Sequence, residues 1–169
     1  MNYGLRSFYR MRELNTCEKH RKYTISEVGM MTRLTDRTIR NYIKLGLLEG
    51  RKDNGIWVFT KEQVAKMMET SYVKQAIQIK RDVMIESFLQ GKCKSEPSQC
   101  TILDYPLQKE SAQKLCNVAI NYINTRCPRE VELSYEYQNT SGLARFIVKG
   151  PTQTVMEILE VIRLYAESL

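Results

Sequence analysis

The stretch TISEVGMMTRLTDRTIRNYIKLGLLEGRKDNGIWVFT, residues 24–60, decides the fold. It opens with Thr24 and, three residues on, Glu27. That is a capping box: the hydroxyl accepts the Glu27 amide and the carboxylate returns to the cap amide. Ile25, Val28 and Met31 follow at helical spacing, and this first helix should stop near Thr32-Arg33-Leu34. Thr35 caps a second helix, with Asp36 in its first turn where the helix dipole favours it. The second helix runs from Arg37 through Lys44, with Ile39, Tyr42 and Ile43 on its buried side, and Gly46 ends it as a C′ glycine. Asn54-Gly55 marks a tight hairpin between strand-forming residues. Thr60 and Gln63 form another capping box, which opens a third helix.

Two helices about three residues apart, then a hairpin and a third helix, make a winged helix-turn-helix. Such a turn lets the second helix enter a major groove while the first crosses the backbone. The outer side of the second helix has suitable chemistry. Arg37 and Arg40 reach phosphates or guanine edges, and Asn41 matches adenine. Thr38 suits a thymine methyl or a phosphate. Lys44 is placed for the backbone, and Arg51 and Lys52 lie beside the hairpin turn, as in a wing. Charged residues on a helix are more often a solvated face. The capping, the spacing and the charge distribution favour DNA. Residues 1–60 carry a net +6, residues 61–96 +2 and residues 97–169 −1. A basic first third suits a polyanion, because Lys and Arg release counterions from phosphates.

Outward from this core, residues 1–22 read as a basic arm with interspersed aromatics. Residues 23–70 are the expected winged domain, and residues 71–92 a linking helix suited to dimerisation. Residues 93–99 read as a linker, where charge and texture change. Residues 100–169 form a second domain. There, Ile102–Tyr105 reads as a short strand closed by Pro106. Residues 109–125 form a helix, and Val131–Tyr137 and Leu143–Lys149 form strands around a turn at 139–142. A last helix carries Val155, Ile158, Leu159, Ile162, Tyr165 and Leu169. The order β-α-β-β-α matches a ferredoxin-like domain lacking its last strand, whose missing strand leaves an edge to cover. The expected fold class is thus α+β, mainly helical.

Residues 23–68 resemble the DNA-binding domain of the MerR family. The resemblance is carried by Tyr23-Thr24-Ile25-Ser26-Glu27, Arg37-Thr38-Ile39-Arg40-Asn41-Tyr42-Ile43, Gly46-Leu47-Leu48 and Asn54-Gly55-Ile56-Trp57-Val58-Phe59, in the family's order. It implies a cytoplasmic, nucleoid-associated bacterial transcription regulator that binds double-stranded DNA as a homodimer on an inverted repeat. The expected DNA contacts are Thr35, Arg37, Thr38, Arg40, Asn41, Tyr42 and Lys44 from the second helix, with Arg51 and Lys52 from the wing. It also implies a small-molecule effector at the C-terminal domain. Excisionase-like or chromosome- and plasmid-organising factors share the winged domain and are the alternative. The chain departs from the family pattern at four positions. Arg33 stands for the turn glycine, costing about 1 kcal/mol if that backbone is left-handed. Asn41 stands for a tyrosine and Ile43 for an acidic residue. Trp57, expected to face the core or pack on backbone, stands for the wing arginine.

Other chemistries find little support. No Ser-His-Asp set, phosphate loop or acidic metal cluster stands out, so no enzyme activity, cofactor or metal is expected. His20 is the one histidine. Of the five cysteines, Cys93 and Cys100 flank the linker and read as free reduced thiols rather than a redox sensor, Cys116 as core and Cys127 as a loop residue. Tyr105, Tyr122, Tyr135 and Tyr137 sit at strand and helix spacing, more typical of core than of a ligand pocket. No stretch is apolar enough to span a bilayer and no signal peptide is expected.

Overall fold

The computed structural model describes residues 21–91, 96–126 and 130–169. Most of the expected arm and residues 93–95 of the expected linker, with Cys17, His20, Cys93 and Cys127, lie outside the described residues. The chain begins with a short strand β1 (Lys22–Thr24), then α1 (Ile25–Thr32) and α2 (Asp36–Lys44). The hairpin of β2 (Arg51–Asp53) and β3 (Ile56–Thr60) follows, then α3 (Lys61–Glu69) and the long α4 (Ser71–Leu89). The second half contains β4 (Ser98–Pro106), α5 (Lys109–Arg126), β5 (Glu132–Gln138), β6 (Leu143–Pro151) and α6 (Thr152–Ala166).

Local chemistry accounts for the first half. Both capping boxes form: Thr24 with Glu27 on α1, and Thr60 with Gln63 on α3. Thr35 caps α2 by accepting the Thr38 amide. Three residues separate α1 from α2, and the turn opens on Arg33, whose φ of 60° is left-handed. Gly46 follows α2 with φ 71°, and the β2–β3 turn has Asn54 at φ 48° and Gly55 at φ 81°. Two positive φ values in a two-residue loop are what a type I′ turn requires. Strand β1 has no counterpart in the sequence reading; Lys22, Tyr23 and Thr24 pair with Thr60, Phe59 and Val58. The resulting sheet has the order β1-β3-β2.

The second sheet has the order β4-β6-β5, with β6 antiparallel to both neighbours. β4 is nine residues long, where the sequence suggested four before a breaker; Pro106 is its last paired residue. A proline tolerates that place because β4 is an edge strand. One face of this sheet carries the buried Ala144, Phe146 and Val148, with α5 and α6 packed over it. Across the opposite face runs α4, whose Arg81 reaches Ser134 and Glu136 and whose Ser87 accepts from Lys149. The β5 edge is covered by α1.

The two halves thus share one core rather than hanging from a tether. The Tyr23 hydroxyl donates to Asn117 Oδ1 at 2.6 Å and accepts from Gln113 Nε2 at 2.9 Å. Arg21 donates to Asn121 at 2.8 Å and to Glu27 at 3.1 Å. Arg33 forms an ion pair with Glu132 of β5. Burial, with the nearby Cys116 next, pushes the Tyr23 hydroxyl up to about 12. The Cys116 thiol beneath it is also raised by burial, so it stays protonated and packs as the expected core residue.

Candidate nucleic-acid interface

The α2 helix is strongly two-sided. Ile39 is fully buried and Tyr42 is 2% exposed, its ring meeting Tyr72 edge-on at 6.1 Å. Burial raises the Tyr42 hydroxyl above its ordinary value. Tyr42 was expected both on the buried side and among the DNA contacts. Its ring lies on the buried side, packed against Tyr72. The opposite side presents Arg37, Arg40, Asn41 and Lys44, all exposed. Their spacing of i, i+3, i+4 and i+7 puts them on one helical face. Thr35 and Thr38 lie at the N-terminal end of that helix, their hydroxyls 2.9 Å apart.

On the hairpin, Arg51 and Lys52 are exposed. Lys52 Nζ lies 5.7 Å from the centroid of the Trp57 ring, a cation–π contact across the strand pair Lys52–Trp57. Trp57 is half-buried against the core and stacks on Phe59 with 6.4 Å between ring centroids. Lys22 donates to Asp53 at 3.0 Å, and this hydrogen bond holds the Asp53 carboxyl below the usual carboxylate range. Arg37, Arg40, Lys44, Arg51 and Lys52 form no ion pair among the described residues. Exposed cations that form no ion pair keep their charge available to an external polyanion.

The family described as "MerR HTH family regulatory protein" matches residues 23–76, the segment from β1 into the first turns of α4. Residues 23–76 are a MerR-type helix-turn-helix domain. This domain belongs to DNA-binding transcription regulation, and such regulators are typically not enzymes. Comparison with curated proteins and with solved structures returns no match. The MerR-type domain covers about a third of the chain, so the C-terminal β-α-β-β-α part is read from its own residues. No helix among the described residues is long and apolar enough to cross a membrane.

Sequence reasoning missed how the MerR-type domain is fastened to the rest. The Arg33–Glu132, Arg81–Glu136 and Lys109–Glu69 pairs join residues 40 to 99 positions apart. A signal was present at Arg33. An arginine at a left-handed turn costs about 1 kcal/mol, so it needs a compensating role. Its ion pair to β5 supplies one.

Proposed function

We propose that the chain is a sequence-specific transcription regulator that binds double-stranded DNA as a homodimer on an inverted repeat. The observation that carries this is the two-sided α2. Its inner face is locked by Ile39 and Tyr42, and its outer face offers Arg37, Arg40, Asn41 and Lys44 without ion-pair partners. In this reading α2 lies in the major groove. Arg37, Arg40 and Asn41 read base edges, and Thr35, Thr38 and Lys44 hold the backbone. Arg51 and Lys52 of the wing take flanking phosphates.

The dimer reading is supported by the outer side of α4. Tyr72, Ala76, Ile79 and Val83 follow a 4-3-4 spacing, the seam pattern of a coiled coil. Ile79 is 61% and Val83 54% exposed, high for large apolar side chains on one stripe. The C-terminal part, with its strand order β4-β6-β5, fits a ferredoxin-like arrangement lacking the fourth strand.

The test is selection of bound sites from random duplex DNA by the full-length protein, with Arg37→Ala as control. An inverted repeat that the variant fails to enrich is the expected result, and its half-site spacing gives the dimer geometry. Salt-sensitive binding with no enriched site would replace this reading with a non-regulatory DNA-binding factor.

A further inference from the structure

A cleft of about 520 Å³ lies where three parts of the chain meet: the MerR-type domain, α4 and the rim of the C-terminal sheet. Its volume is within the range of small-molecule sites. Met31, Val64, Met68, Ile77 and the Tyr135 ring give it an apolar lining. Tyr137 joins Tyr135 there, while Tyr105, which packs on Phe146 as Tyr135 also does, is not part of the lining.

The charges around the cleft are unequal. Glu69 is answered by Lys109 at 3.1 Å, and Glu136 by Arg81 at 2.6 Å. Lys61 and Lys74 also line the cleft, and neither forms an ion pair or side-chain hydrogen bond among the described residues. Both carboxylates are thus neutralised while two cations are left over. At the base, the Tyr135 hydroxyl has no hydrogen-bond partner among the described residues. Burial raises it well above the ordinary tyrosine value, so it remains a neutral donor.

We propose that this cleft binds an amphipathic organic anion: an aromatic or aliphatic body carrying one carboxylate or sulfonate. The body covers the apolar lining, and the anionic group pairs with the cations that the lining leaves unanswered, Lys61 and Lys74. A neutral ligand would leave that field unused, and a cation would be repelled by it. The site stands on the cleft alone; only its regulatory consequence rests on the DNA-binding reading. The walls belong to α3, α4 and β5 together, so an occupant that prefers one arrangement of the MerR-type domain on the C-terminal part biases that arrangement.

The test uses 8-anilinonaphthalene-1-sulfonate on the full-length protein, read by fluorescence, with N-phenyl-1-naphthylamine as the matched dye without the sulfonate. One saturable sulfonate-dye site per chain is expected. Replacing both lysines (Lys61→Gln with Lys74→Gln) should weaken the sulfonate dye by roughly tenfold or more, because charge-assisted contacts are lost. The neutral dye should change by no more than about twofold. Ala65→Phe, which fills the cleft wall, should weaken both dyes. Val83→Lys, on the exposed stripe of α4, and Arg37→Ala, on the proposed DNA face, should alter neither. Sulfonate-dye binding that survives loss of both lysines, or that disappears in Val83→Lys, overturns the proposal, as does the absence of saturable binding. The protein is tested without DNA, so failure of the DNA-binding reading leaves this result intact.

Discussion

On the second sheet, cations and carboxylates face each other across neighbouring strands. Arg145 donates to both oxygens of Asp104, at 2.7 and 2.6 Å, and Lys149 lies 3.2 Å from Glu132. On the first sheet only Lys22 finds such a partner, Asp53, while Arg51 and Lys52 are left to solvent and to the Trp57 ring. The same split holds for helices. Arg163 on α6 bonds Glu160 and Glu167, and these partners raise its already high pKa further. Arg37, Arg40 and Lys44 on α2 bond no carboxylate among the described residues. Exposed ion pairs contribute little to stability, so the difference concerns availability more than fold strength. A cation paired within the protein must exchange its carboxylate for a phosphate; an unpaired one has nothing to give up.

The strongest challenge to this comparison is Ile39→Ala, on the buried side of the very helix whose outer side is cationic. It should cost about 2–5 kcal/mol of stability, read as a lower urea midpoint. A loss below about 1 kcal/mol would show that α2 is not anchored as described.

Next in size is the junction of the two halves at Tyr23. Its folded-state pKa is raised from 10.0 to about 12, so the folded state holds the proton more tightly than the unfolded state. The stability this represents is complete below pH 10. It is lost as pH rises from about 10 to 12, because there the unfolded chain binds fewer protons. Tyr23→Phe should lower stability by about 1–3 kcal/mol near pH 7, since Asn117 and Gln113 lose their partner. It should also flatten the fall in Tm across that alkaline window. An unchanged alkaline slope would assign the fall to other groups, Tyr135 first.

The smallest effects on stability separate the two classes of arginine. Arg40→Ala should leave stability within about 0.5 kcal/mol and weaken DNA binding by about 1–3 kcal/mol. Arg145→Ala should do the reverse, costing under about 1 kcal/mol of stability with DNA affinity unchanged. Titration of labelled duplex beside thermal unfolding checks both; equal DNA losses in the two variants would erase the distinction.

Much of the MerR-type domain was legible in the sequence because its signals are local. A cap and its partner lie three residues apart, a hairpin turn needs two residues, and a helical stripe repeats within a turn or two. The β-α-β-β-α order was legible for the same reason. Contacts between the halves were not. Tyr23 and Asn117 are 94 positions apart, and nothing in the period of either segment indicates that they meet. Tyr42 illustrates a different limit. Helical spacing put it with Ile39 on the inner face, where its ring meets Tyr72, while the family motif put it among the contacts, and a helical period cannot weigh one role against the other.

Arg81 has a consequence for the whole of α4. Arg81 is 6% exposed, and its guanidinium donates to Ser134 and Glu136 of the C-terminal sheet. Each residue of a helix turns its side chain by about 100° from the last. Fixing one side chain therefore fixes the angular setting of every other on the rod. The stripe of Tyr72, Ile79 and Val83 cannot roll to suit a partner without pulling Arg81 from its seat. The C-terminal part thereby works as a keyway: it sets the direction in which this stripe faces, and with it, in the proposed dimer, the mates that the stripe accepts.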